Sequence, residues 1–244
     1  MALIKLDLPA GIYRNGTDLQ ASGRWRDSNL VRWHDNTLRP IGGWRPRSDT
    51  AAAAKVRGLH AWIDNDSDRW ISAGTYEKLY IYNSAGTQYD ITPAGLTVGN
   101  EDALNPIGYG NSFYGQEYYG IARQEASTVT PATSWALDSW GEYMVACSNA
   151  DGKIYQWSLA TGTPAVAVAN SPINCRSIVV TEERFLFALG AGGNPRLVQW
   201  SDREDNTTWT PAATNEAGDL ELQTSGRIQC GVKVQNQTLI LTDT

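Results

Sequence analysis

The chain is poor in the residues on which most catalytic and metal chemistry depends. Its 244 residues include only two histidines, three cysteines and two methionines. The cysteines, Cys147, Cys175 and Cys230, form no Cys-x-x-Cys pair, which argues against a disulfide framework and a zinc site. We interpret them as buried free thiols on strands. The sequence also contains no Gly-x-Ser-x-Gly elbow, so a Ser-His-Asp hydrolase has no support.

Long apolar runs are missing as well. The sequence has no charged-then-apolar leader and no apolar stretch of about 18 residues, so we expect neither a signal peptide nor a membrane span. The glycine-rich stretch 190–195 precedes a predicted strand and not a helix, which favours a hairpin loop over a phosphate cradle. Every second residue from 64 to 68 is an aspartate, as in a calcium-binding loop. However, Arg69 and Thr75 stand where an EF-hand needs Gly and Glu. A polar hairpin turn is therefore favoured over a weak metal site.

Candidate acid–base residues are equally sparse. His60 falls on a predicted strand and is interpreted as a packing residue, whereas His34 lies beside Trp33. Paired carboxylates such as Glu182 and Glu183 fall in predicted turns. Because no nucleophile, base and metal ligand come together, we predict a protein that is not an enzyme and that has no cofactor and no metal site.

What the sequence does contain is a block that recurs at least three times. Each copy has three short apolar or aromatic runs separated by turn residues, and a fourth copy begins near Cys230. Recurrent three- or four-strand units are typical of β-propellers and related repeat sheets. We therefore predict an all-β fold of β-propeller-like repeats. The predicted strands are 59–63, 69–74, 78–82, 134–138, 142–148, 153–158, 177–181, 184–189, 196–200 and 228–242.

Charge divides the chain into two parts. Residues 1–50 carry eight Lys and Arg against five Asp and Glu, whereas residues 51–244 carry twelve against twenty-one. We interpret 1–50 as an extended arm with a lead-in strand, and 51–244 as the repeats. Residues 93–133 interrupt the repeats with a long aromatic insertion, and residues 211–226 are interpreted as a polar connection. The last repeat is incomplete, so either the N-terminal strand completes it or, as we favour, the chain is a fragment.

The arm and the insertion are the candidate partner interfaces. Both combine large aromatic side chains with arginine or glycine, and the centres of protein interfaces are enriched in Trp, Tyr and Arg. For the insertion, a loop packed back on its own sheet is an equally good interpretation. The candidate interface residues are Arg24, Trp25, Arg32, Trp33, Trp44, Tyr109, Phe113, Tyr114, Tyr118 and Tyr119.

Three stretches resemble the tail nozzle or tail hub proteins of short-tailed bacteriophages, the group that includes packaged-DNA stabilisation proteins. The first stretch covers residues 23–33 and 38–44. The second covers 135–142 and 151–157, and the third covers 200–202, 209–211, 215–219 and 241–244. Together these stretches extend over nearly the whole chain.

The resemblance implies a structural virion protein located in the tail. Such a subunit would form a homo-hexameric ring below the portal and adaptor, mount the needle or fibres, and retain and then release the genome. Duplex DNA would pass through the channel without tight binding, so we expect an acidic or neutral channel wall. No catalytic residue is implied. The alternative is a receptor- or carbohydrate-binding β-propeller adhesin, and a glycan-degrading propeller enzyme is the third option.

Overall fold

The computed structural model describes residues 9–43, 45–103, 130–235 and 237–243. The chain divides into two compact units, Met1–Arg47 and Ser48–Thr244. Both are built from short antiparallel strands, and helical structure in the described residues is limited to a 3-10 turn at Ala191–Gly193. The predicted all-β class, with repeats of short antiparallel strands, is confirmed.

The part of the N-terminal unit that the structure describes contains one hairpin. Strand β1 (Val31–His34) pairs with β2 (Thr37–Pro40), and the two are joined by Asp35 and Asn36, which both have positive φ. This is the two-residue turn that matches the twist of a hairpin, and Asn and Asp are the non-glycine residues that best tolerate it. The Thr37 hydroxyl donates to the His34 carbonyl at 2.6 Å, which closes the turn.

The described residues of the second unit form three four-stranded sheets and a hairpin. Each sheet is a meander in which consecutive strands are neighbours. The first sheet is β3 (Gly58–Ile63), β4 (Arg69–Gly74), β5 (Leu79–Tyr82) and β6 (Gln88–Asp90). The second is β7 (Trp135–Trp140), β8 (Tyr143–Ser148), β9 (Ile154–Trp157) and β10 (Val166–Ala167). The third is β11 (Ser177–Val180), β12 (Leu186–Leu189), β13 (Leu197–Trp200) and β14 (Gly218–Glu221). The hairpin is β15 (Ile228–Val234) and β16 (Gln237–Thr242).

The turns explain why each sheet folds back on itself. In the first sheet, Asp64 ends β3 and its carboxylate accepts the backbone N–H groups of Asp66 and Asp68 at 3.0 and 2.8 Å. Its other oxygen accepts the indole N–H of Trp70 at 2.8 Å. An Asx turn of this kind replaces backbone pairing while the chain reverses. The aspartate-rich stretch is therefore a hairpin turn, as predicted.

The four first strands lie side by side in chain order. β3 contacts β7, β7 contacts β11, and β11 contacts β15. Three apolar clusters fill the spaces between successive sheets. One joins the first and second sheets around Trp62, Trp70 and Trp157, and the next joins the second and third sheets around Trp140 and Leu186. The third cluster holds the hairpin against the third sheet through Val179, Leu189 and Ile228.

Two glycines, which have no side chain, allow the first and second sheets to approach closely. Gly58 and Gly74 are partners on β3 and β4, and both lie against Trp135 of the second sheet. The Trp135 indole N–H donates to the Thr75 carbonyl at 2.6 Å, which fixes the ring over the two glycines. A glycine pair under a tryptophan therefore sets the spacing between the first two sheets.

The predicted strands correspond closely to β3–β5, β7–β9, β11–β13 and the β15–β16 hairpin. The interpretation of 211–226 as a polar connection is wrong in part, because Gly218–Glu221 pairs with Leu197–Trp200 as β14. The short outer strands β6 and β10 were likewise not predicted. The unit division falls after Arg47, a few residues before the predicted end of the arm.

Candidate functional site

The first strands of the repeats line one concave surface. It encloses a cavity of about 560 Å³ and is formed by Leu59 together with residues 134–138, 176–179 and 229–233. These residues belong to β3, β7, β11 and β15 or directly precede those strands. We call this surface the groove. Its volume lies in the range of sites that hold small ligands.

The charges of the groove are few and well defined. Asp138 is its carboxylate, and its oxygens accept the backbone N–H groups of Val180 and Ser139, each at 2.8 Å. Arg176 donates to the side-chain oxygen of Gln229 at 2.7 Å. Lys233 is exposed. The groove of a single chain is thus not acidic, unlike the wall that we expect for the channel of an assembled ring.

A histidine–serine pair links the first and second sheets beside the groove. The Nε2 atom of His60 lies 2.8 Å from the Ser139 hydroxyl, and the imidazole stacks on Trp62 with ring centroids 5.8 Å apart. Burial lowers the pKa of His60, Lys233 lowers it further, and Asp138 opposes both. The two bonds that Asp138 accepts come from backbone groups, so the geometry is that of a structural contact and not of a catalytic triad.

This pair makes stability depend on pH. Because the folded-state pKa of His60 is lowered, the unfolded chain binds a proton more readily than the folded chain. The contribution of His60 is complete above its unfolded pKa, about 6.5, and is lost as pH falls through the lower folded pKa. We expect the melting temperature to drop below about pH 6.5, and to drop less in His60→Gln. Thermal melts of both proteins between pH 5 and 8 test this, and identical profiles would contradict it.

The predicted interface residues of the arm are described in part. Trp25 and Trp33 lie together, with ring centroids 6.3 Å apart, and Arg24 lies 5.1 Å above the ring of Tyr13. Arg32 faces Arg39 across the β1–β2 hairpin, and both are exposed. Like charges directly opposite one another destabilise a strand pair unless an anion neutralises them.

The two arm indoles have unused polar groups. Within the described residues, the N–H groups of Trp25 and Trp33 are buried and have no hydrogen-bond acceptor. Buried donors are normally satisfied, so an acceptor from a partner would stabilise this surface. Trp44 and the five insertion residues, Tyr109, Phe113, Tyr114, Tyr118 and Tyr119, lie outside the described residues.

Thiol and metal chemistry find little support in the described geometry. Burial raises the pKa of the Cys147 thiol well above its usual value and that of Cys175 to about 12, which suppresses thiolate formation. Cys175 lies just before β11, and Cys230 lies on β15 but is only half-buried, so both differ from the predicted buried strand thiols. In the described part of the chain, no three His, Cys, Asp or Glu residues are grouped to hold a metal ion.

The groove residues were missed by the sequence analysis. Arg176 and Gln229 are 53 positions apart, and His60 and Ser139 are 79 apart. The usable signal was the position of each residue on or beside the first strand of its repeat, because those strands become neighbours when the sheets stack. No pattern within one repeat identifies them.

No family model matches the chain, and no curated protein sequence is significantly similar to it. No helix among the described residues has the length and apolar character needed to cross a membrane.

Proposed function

We propose that the protein is a structural subunit of a bacteriophage tail, in the nozzle or hub class. It would contribute to the DNA exit channel below the portal and adaptor. There it would retain the genome and then release it. The proposal is supported by the family resemblance, which extends over nearly the whole chain, and by the tandem four-stranded sheets expected of a propeller-bearing subunit.

Apolar side chains are exposed at both ends of the row of sheets, and this exposed surface supports the proposal that the subunit assembles with others. On the first sheet, Leu59 and Ile63 are 66% and 58% exposed. On the terminal hairpin, Val232 and Leu239, which are cross-strand partners, are 49% and 52% exposed. Exposed apolar patches of this kind mark interaction surfaces, as a subunit of a larger assembly requires.

We expect that deletion of residues 108–120 blocks incorporation into tail particles while the monomer stays folded. The deletion removes the glycine- and aromatic-rich centre of the insertion, and large aromatics dominate the energetics of interfaces. Particle composition after co-expression with the neighbouring tail proteins measures incorporation, and circular dichroism checks the monomer. A matched control removes the exposed residues 212–214. If the 108–120 deletion enters particles normally, the insertion has no role in assembly.

The alternative, a receptor- or carbohydrate-binding propeller, is favoured by the groove. A concave surface lined by the first strands of several sheets is suited to bind a small ligand, and it needs no ring. The assembly state separates the two candidates. Native mass spectrometry of the purified protein should show a hexameric ring for a tail hub, whereas an adhesin can act as a monomer.

A further inference from the structure

Half of the described basic side chains of Ser48–Thr244 that have no carboxylate partner lie at the groove or in the cavity beside it. Elsewhere in Ser48–Thr244, several basic side chains are neutralised by ion pairs, namely Lys55 and Arg57 with Asp102, Lys78 with Asp90, Lys153 with Asp151, and Arg196 with Glu221. Within the described part of Ser48–Thr244, six basic residues form no ion pair: Arg69, Arg176, Arg184, Arg203, Arg227 and Lys233. Two of them line the groove, and Arg227 lies in the adjoining cavity.

Arg176 is positioned before any ligand arrives. The Nη2 atom of Arg176 donates to the side-chain oxygen of Gln229 at 2.7 Å. The side-chain nitrogen of Gln229 in turn donates to the Asp243 carboxylate at 3.2 Å. The second oxygen of Asp243 accepts the backbone N–H of Arg227 at 2.6 Å. Both oxygens of the neighbouring carboxylate are therefore engaged. A guanidinium fixed by a neutral amide retains donors that match a planar anion.

Arg176 also lies between the groove and a second cavity. It lines the groove, and it lines a neighbouring cavity of about 390 Å³ together with Arg227, Asn174 and Asn149. At the other side of the groove, Lys233 is close enough to His60 on β3 for its charge to lower the pKa of the histidine, although Asp138 acts in the opposite direction and more strongly. Lys233 is thus the second basic side chain that lines the groove, on the strand that also carries Gln229.

We propose that the groove binds a short acidic oligosaccharide, with a carboxylate of the sugar held by Arg176 and Arg227 and a second anionic group near Lys233. The carboxylate matches the forked donors of arginine. The exposed residues Ser134 and Val232 offer a hydroxyl and an aliphatic group, which suit the hydroxyl groups and the C–H faces of a sugar ring. Single-stranded nucleic acid is disfavoured because such ligands need aromatic stacking surfaces. Of the described residues, the only aromatic one that lines the groove is the buried Trp135.

Binding is measured with the full chain by isothermal titration calorimetry, using trigalacturonate as the probe. Maltotriose is the neutral sugar of equal length, and inorganic phosphate and a short oligothymidylate test a phosphate ligand. We expect trigalacturonate to bind with an affinity that falls as salt rises, and maltotriose not to bind. Arg176→Gln should weaken binding by about tenfold or more, since it removes a charge-assisted contact. Arg176→Lys should restore only part of it, because the fork is lost.

The matched control is Arg203→Gln. Arg203 is an exposed arginine outside the groove, and its replacement should leave binding unchanged. Thermal melts of each variant establish that it is folded. The proposal is overturned if trigalacturonate does not bind, if Arg203→Gln weakens binding as much as Arg176→Gln, or if oligothymidylate or phosphate binds more tightly. The measurement uses the isolated protein, so its outcome is independent of whether the chain forms a tail ring.

Discussion

Replacing Gly74 by alanine is expected to destabilise the protein by about 3 kcal/mol, the upper part of the range for overpacked cores. A Cβ at Gly74 would lie 2.3 Å from Cδ1 and Cγ of Trp135. The indole cannot retreat easily, because its N–H is bonded to the Thr75 carbonyl at 2.6 Å. Relief would require the first and second sheets to separate, and their shared cluster around Trp62 and Trp157 would then be partly exposed.

Urea denaturation followed by tryptophan fluorescence measures the effect. Gly162→Ala is the matched control, because a Cβ at Gly162 meets nothing within 4 Å and its φ is not in the left-handed region. It should change stability by less than about 1 kcal/mol, the intrinsic range of a Gly-to-Ala exchange. Equal stability of Gly74→Ala and Gly162→Ala would show that the sheets do not meet through the Gly74–Trp135 contact.

The sequence predicts the inner strands of each repeat well and the outer ones poorly. The inner strands carry continuous apolar runs, such as those of β8 and β12, because both faces of each are covered by neighbouring sheets. The outer strands β10 and β14 are short and mostly exposed, with only Gly218 half-buried, so they have no hydrophobic pattern. They are held by backbone pairing with β9 and β13, which composition does not reveal.

The candidate site was harder to predict than the fold. Arg176 comes from the third repeat, whereas Gln229 and Lys233 lie on β15, and only the side-by-side placement of β11 and β15 brings them to one surface. The sequence did indicate where charge is segregated along the chain, since residues 1–50 are basic and the rest is acidic. The net negative charge of residues 51–244 does not indicate that basic side chains line the groove, because it is a sum over the whole segment.

Truncating Trp157 to alanine should remove about 3–5 kcal/mol of stability, the usual cost of deleting a buried tryptophan. Trp157 is 1% exposed and meets Trp62 and Trp70 edge-on, with ring centroids 6.4 and 5.4 Å apart. Its N–H donates to the Ala160 carbonyl at 3.1 Å. Domains of ordinary stability retain only 5–15 kcal/mol in total. The variant should therefore unfold at a much lower urea concentration.

Trp157→Phe separates the contribution of the aromatic contact from the contributions of the hydrogen bond and of the full indole volume. Phenylalanine keeps an edge-on aromatic contact with Trp70 but loses the bond to Ala160 and part of the volume, so an intermediate loss is expected. Because the cluster around Trp157 holds β3 against β7, loosening it should also widen the groove that these strands line. Trigalacturonate binding should then weaken in Trp157→Ala even at temperatures where the protein remains folded. A variant with wild-type stability would show that the three tryptophans do not form the core between the first two sheets.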